Sequence, residues 1–203
     1  MIFTRLAMIG TLALSLIGAA QAKEGLSPGT MLTVEANGDL WQELVVYNED
    51  GVMIMKELTE DIEFPFYAIL YGVGYAFCSE GDPIDTEALK ALAPLWPLRL
   101  KSYGEYESYE GEYFSYETTE RYTQVVSGRT SSGYIVRETD ELFDQPGSYN
   151  ELLVDTALGI AVQSRTMDGE ITLEVIDITH SLTNIPSTLR QEAISACFPS
   201  GIS

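Results

Sequence analysis

Met31-Leu32-Thr33-Val34-Glu35-Ala36-Asn37-Gly38-Asp39-Leu40-Trp41-Gln42-Glu43-Leu44-Val45-Val46-Tyr47-Asn48-Glu49-Asp50-Gly51-Val52-Met53-Ile54-Met55 is the stretch that decides the fold class. Asn37-Gly38 and Asp50-Gly51 divide it into three apolar runs. Both dipeptides accept the positive φ angles of a two-residue hairpin turn, so the stretch reads as three antiparallel strands in a meander.

Working outward, Phe64 to Cys78 is a near-continuous apolar run holding Pro65, Gly72 and Gly74. Such residues suit a helix interior poorly, so the run predicts strand structure deep in the core. Asp82-Pro83-Ile84-Asp85-Thr86-Glu87 is an acidic cap with proline in the first turn, and it leads into a short helix over Ala88–Leu92 that Pro94 ends. From Tyr103 to Ile178 the chain reads as strands again. Tyr113–Val126 and Tyr134–Glu138 flank the turn-rich Ser127–Gly133, Leu152–Val154 and Ile160–Val162 flank Asp155–Gly159, and Asp168-Gly169 turns the chain into Ile171–Ile176. Ser187 is placed to cap a last helix with Leu189, Ala193 and Cys197 on one face and Pro199 beyond its end. The expected fold class is mainly β, an antiparallel meander forming a curved sheet or sandwich, with one or two short helices.

The N-terminus gives the address. Met1 to Arg5 carries one positive charge, Leu6 to Ala19 carries none, and Ala20-Gln21-Ala22 supplies a small-x-small cleavage site. This is the pattern of a signal peptide over residues 1–22, and the apolar run is shorter than the roughly 20 residues a bilayer crossing needs. No cysteine lies near the junction, which argues against a lipoprotein. The expected mature protein begins at Lys23, is periplasmic or secreted, and folds as one β-rich domain over residues 23–203 without a membrane span. Cleavage removes only Arg5 among the charged residues, leaving 10 basic against 31 acidic side chains, a net charge of −21. So acidic a surface repels phosphate backbones, which excludes nucleic acid, and its field favours a cationic protein or ligand as partner. Cys78 and Cys197 are the two cysteines, and in an oxidising compartment they read as one disulfide.

Catalytic apparatus is nearly absent from the pattern. His180 is the one histidine, and no Gly-x-Ser-x-Gly elbow, Ser-x-x-Lys pair, His-Glu-x-x-His helix or phosphate-binding loop occurs. A carboxylate pair could hydrolyse glycosides, but 31 acids make some suitable pair inevitable. Asn48-Glu49-Asp50-Gly51 has the centre of a calcium loop without its first and last ligands, and the hairpin accounts for it. Neither a metal nor a cofactor is implied.

One feature is unusual. Gly104-Glu105-Tyr106-Glu107-Ser108-Tyr109-Glu110 is followed at once by Gly111-Glu112-Tyr113-Phe114-Ser115-Tyr116-Glu117. Seven is odd, so along one regular strand the copies present equivalent residues to opposite faces unless Gly111 adds a bulge. The candidate binding surface is therefore Tyr106, Tyr109, Tyr113 and Tyr116 edged by Glu105, Glu107, Glu112 and Glu117, suited to a cationic or sugar-like ligand. The plainer alternative is that tyrosine is simply a favoured strand residue.

Leu95-Trp96-Pro97-Leu98 followed by Lys101-Ser102 and aromatic strands, with Leu158-Gly159-x-x-Val162 further on, resembles a group of uncharacterised exported bacterial β-rich proteins. Leu100 stands where that group usually has glycine. The resemblance implies fold and compartment, with no known activity. Three functions follow in order: a non-enzymatic exported binding protein of the cell envelope, using the Tyr/Glu surface; a periplasmic hydrolase using His180 or a carboxylate pair; and a carrier of an apolar ligand inside a curved sheet, with Phe64 to Phe77 lining it. A large dry cavity favours the carrier.

Overall fold

The computed structural model describes residues 25–59, 65–78, 84, 86–107, 112–140, 147–180 and 184–199. The expected leader, Lys23, the Asp82-Pro83 cap, Tyr109 and the Gly111 step lie outside these. Among the described residues eleven strands form one sheet: β1 (Thr30–Ala36), β2 (Asp39–Glu49), β3 (Val52–Glu57), β4 (Phe66–Leu70), β5 (Gly74–Phe77), β6 (Tyr103–Glu107), β7 (Tyr113–Val126), β8 (Arg129–Asp140), β9 (Asn150–Asp155), β10 (Ile160–Thr166) and β11 (Ile171–His180). Helix α1 (Thr86–Leu92), with a 3₁₀ turn over Ala93–Leu95, lies between β5 and β6 in sequence, and α2 (Ser187–Cys197) follows β11. The strand order is β5-β4-β3-β2-β1-β11-β10-β9-β8-β7-β6. Two antiparallel meanders are thus joined at the pairing of β1 with β11, where Leu32 faces Ile178 and Val34 faces Val175.

The turns behave as their residues dictate. Asn37 and Gly38 have φ of 53° and 87°, Asp50 and Gly51 53° and 80°, the two positive values that match the twist of the flanking strands. The same geometry corrects one expectation and refines another. The loop expected over Ser127–Gly133 shrinks to a two-residue turn, Ser127 (φ 45°) and Gly128 (φ 76°), because β8 already begins at Arg129. The strand structure expected in the apolar run is present from Phe66 to Phe77 and takes the form of two strands, since Tyr71 (φ 50°) and Gly72 (φ 77°) fold β4 back onto β5.

The helices also differ from the reading in detail. The first α-helix does end at Leu92, two residues before Pro94, and a separate 3₁₀ turn then carries the chain to buried Leu95. Ser187 makes no side-chain cap, as it already sits inside the first turn behind Pro186. The face carrying Leu189, Ala193 and Cys197 does pack inward, against β2, β3 and β4. Cys197 is bonded to Cys78, with Cα atoms 4.5 Å apart, so the disulfide fastens α2 beside the end of β5. The Ile84 N–H donates to the Cys197 carbonyl at 3.0 Å next to it.

Strands such as Val52–Met55 and Leu152–Val154 are apolar without alternation because the sheet buries both faces there. Val52, Ile54, Phe66, Ala68 and Leu70 join one cluster with the helices, while Met53, Met55 and Tyr67 join a second on the other side. The sheet also curls strongly. A Cβ on Gly72, in the β4–β5 turn, would lie 2.9 Å from the carbonyl oxygen of Gly159 in the β9–β10 turn. In a flat sheet β4 and β10 would be five strand spacings apart, roughly 24 Å. Any side chain at residue 72 would wedge this contact open.

Candidate functional site

The described residues of the tandem repeat lie on two paired antiparallel strands, not on one. Its first copy supplies β6, an edge of the sheet, and its second opens β7. Register then sorts the candidates. Tyr103 faces Glu117, Glu105 faces Ser115 and Glu107 faces Tyr113 on one side; Gly104 faces Tyr116 and Tyr106 faces Phe114 on the other. Tyr116 is therefore core, 1% exposed, and does not belong to a binding surface. Tyr106 is half-buried, its ring stacked on Phe114 at 5.2 Å and packed against the core cluster. Gly104 leaves room for the helix: its Cβ would stand 3.1 Å from Leu95 Cδ1 and 3.2 Å from the Ala91 carbonyl oxygen.

What remains outside is Glu105, Glu107 and Glu117, all exposed, with Tyr113 half-exposed. Tyr103, just before the repeat, joins them and is 50% exposed. The Tyr103 hydroxyl donates to Glu105 Oε2. Donation from Tyr103, and then from Tyr113, holds the Glu105 carboxyl below its usual range. The same bonds push both tyrosines up. Glu112 is half-buried just ahead of β7.

A second group was not singled out from sequence. A cavity of about 390 Å³ is lined by Trp41, Glu43, Tyr67 and Tyr75 on one arm of the sheet and by Glu138, Leu152, Ile160, Leu173 and Val175 on the other, with Leu32 and Val34 between them. β5 and β8 are eight positions apart in strand order, roughly 38 Å if flat, so only the curl lets them face one space. Tyr67, Ile69, Gly72, Val73, Gly74 and Tyr75 are the part of the 64–77 run that reaches it. A hollow of about 430 Å³, lined by Asn48, Asp50, Met53, Tyr71 and Trp96, abuts it at Ile69 and Gly72.

Two carboxyls stand in this mostly apolar lining. Glu43, 6% exposed, accepts from the Trp41 indole Nε1 at 2.6 Å and from the Tyr67 hydroxyl. Burial pushes its carboxyl up, more strongly than those two donors pull it down, and Glu57, its partner across β2–β3, adds to the rise. Glu138 accepts from Asn150 Nδ2 at 3.4 Å and from the Tyr116 hydroxyl, and burial raises it too. Tyr67 and Tyr75 stack at 4.6 Å, and Tyr75 meets the Phe77 ring edge-on at 5.0 Å. The sequence signal for this group was an acid between Trp41 and Val45 at strand period, where Leu44-Val45-Val46 marks a strand buried on both faces.

Another buried polar group is structural. Ser131 Oγ lies 2.8 Å from both the Tyr122 hydroxyl and Asp155 Oδ2, while Asp155 Oδ1 accepts from the N–H groups of Ala157 and Leu158. This chain fixes the β9–β10 turn and leaves neither oxygen of Asp155 spare. His180 closes β11 opposite Thr30. Among the described residues, no three His, Cys, Asp or Glu side chains are grouped to hold a metal, and no helix is long and apolar enough to cross a membrane.

No protein-family model and no curated protein sequence matches this chain. Among solved structures it is similar to the hypothetical lipoprotein YmcC from Escherichia coli (K12), at 15% identity and TM-score 0.40 over 76% of this chain and 88% of that one. It is also similar to MucB, at 15% identity and TM-score 0.32 over 80% of this chain and 55% of the other. The MucA/MucB complex of Pseudomonas aeruginosa gives 16% identity and TM-score 0.34 over 79% and 53%. The chain spans about half the length of these last two.

Proposed function

We propose that this is a non-enzymatic exported binding protein that holds a largely apolar ligand within its curled sheet. The observation that carries the reading is the cavity of about 390 Å³, within the usual size for a small-molecule site and lined by aliphatic and aromatic side chains with a few polar groups. A solid core would instead have supported recognition on the outer surface alone. The hydrolase reading gains nothing from the two carboxyls. Acid–base hydrolysis needs neighbouring acids with environments that push their protonation apart, and here burial raises both Glu43 and Glu138. The exposed face of the β6–β7 hairpin stays as a second contact surface, because Tyr103, Glu105, Glu107, Tyr113 and Glu117 share it.

The test uses residues 23–203 with the disulfide intact and the neutral dye N-phenyl-1-naphthylamine, which brightens in apolar surroundings. Saturable binding at one site is expected. It should be abolished by Val175→Trp, which fills the cavity, in a variant whose circular dichroism remains native. No saturable dye binding, or binding that Val175→Trp leaves untouched, overturns the reading.

A further inference from the structure

We infer that the ligand of this cavity carries an ammonium headgroup, seated by Trp41, Glu43, Tyr67 and Tyr75. The inference rests on the cavity being a ligand site and adds the chemical class. Glu43 is the first reason. A carboxylate removed from water costs free energy unless a counter-charge or several donors attend it. The indole N–H and the Tyr67 hydroxyl serve Glu43 as donors, but among the described residues no positive charge does.

The basic neighbours face the wrong way. Lys56 is adjacent to Glu57 in β3 and turns to the opposite face, where its Nζ lies 5.5 Å from the centre of the Phe66 ring. Arg137 is adjacent to Glu138 in β8 and does the same, its guanidinium 3.9 Å from the Tyr149 ring centre. Among the described residues no lysine or arginine lines either hollow. An anionic amphiphile would meet Glu43 and Glu138 with nothing to neutralise it.

The aromatic rings are the second reason, independent of charge. Trp41, Tyr67 and Tyr75 line the cavity beside Glu43, and the faces of such rings attract cations. Phe77 extends the cluster along β5 and is 59% exposed, as Tyr75 is at 49%, so the rings lead from the sheet edge inward. An ammonium group in contact with a carboxylate and two or three rings is held by charge-assisted hydrogen bonds and cation–π attraction together. The aliphatic stretch of Leu32, Val34, Ile160, Leu173 and Val175 then accepts the apolar tail.

The experiment displaces the bound naphthylamine dye with three probes of one chain length, dodecylamine, dodecanol and dodecanoate, each below its micellar concentration at pH 7.5. Dodecylamine should displace the dye at a concentration at least about tenfold lower than dodecanoate, and also lower than dodecanol. Glu43→Gln should bring the amine to the level of the alcohol while dye binding persists. Tyr75→Leu, at a half-exposed edge position, should weaken the amine selectively and serves as a second variant if Glu43→Gln fails to fold. The inference is overturned if the alcohol or the carboxylate displaces dye as well as the amine, if none of the three displaces it, or if both variants keep the amine preference. Loss of dye binding by the wild-type protein sinks the cavity reading itself.

Discussion

Glu105 on the outer hairpin and Glu43 in the cavity have nearly the same partners and opposite chemistry. Each receives two aromatic donors, Tyr103 and Tyr113 in one case, Trp41 and Tyr67 in the other. Water reaches Glu105, so the hydrogen bonds decide and its carboxyl becomes a stronger acid. Glu43 is largely removed from water, so desolvation outweighs the same kind of bond and its carboxyl becomes a weaker one. A Tyr/Glu pattern therefore carries no fixed meaning. The first arrangement is a wet, anionic surface, and the second is a buried carboxyl whose charged form is disfavoured, which is what the proposed ammonium ligand would relieve.

The sharpest way to break this division is to truncate tyrosines on its two sides. Tyr116→Ala removes a fully buried ring and should cost about 3–5 kcal/mol, read from the urea midpoint. Tyr113→Ala, on the wet face, should leave the midpoint close to wild type. Tyr106→Ala should fall between them because its ring is half-buried on Phe114. Equal losses at Tyr113 and Tyr116 would show that the hairpin has no exposed face.

The acids give a smaller effect with a definite sign. For Glu43 the folded pKa is raised, so the folded state binds the extra proton, and stability grows as pH falls from neutral through that raised value toward the ordinary 4.5. Glu138 acts in the same direction. For Glu105 the folded pKa is lowered, so its contribution is present above 4.5 and is lost as pH falls through the depressed value. Unfolding of Glu43→Gln followed from pH 7 to 4 should therefore show a higher midpoint than wild type at pH 7, and the gap should close in acid. A variant destabilised at pH 7 and unchanged in its pH slope would mean that Glu43 is held as a needed anion in the empty protein.

Salt separates the two regions last. A cationic partner bound on the hairpin face should be released as the Debye length falls to about 3 Å near 1 M salt. The headgroup seat is screened far less, so dodecylamine affinity should change several-fold less over the same range. Parallel salt titrations of both binding events check this, and equal slopes would place the amine on the outer surface.

Local chemistry was legible in the residues. Asn37-Gly38 and Asp50-Gly51 tolerate two successive positive φ angles, which sets the first meander, and Tyr113–Val126 reads as a strand from its own composition. The cysteine pair was legible too, since two cysteines allow one bridge. Elsewhere local signals ran out. Tyr71-Gly72 carries no strong hairpin signature, and its turn is tied from a distance in sequence, the Tyr71 N–H donating to the Gly51 carbonyl oxygen at 2.7 Å. The odd repeat did split its tyrosines between two faces, but across a hairpin that the period alone did not reveal.

By itself, then, the sequence determined that this is a mainly β chain with a strongly acidic charge and one possible cystine, because these follow from composition and from turns a few residues long. The tertiary structure alone decided which acids are wet and which are dry. Whether Glu43 or Glu105 loses its water depends on how far the sheet curls to bring β5 opposite β8, and that curl is set by packing between residues far apart in the chain.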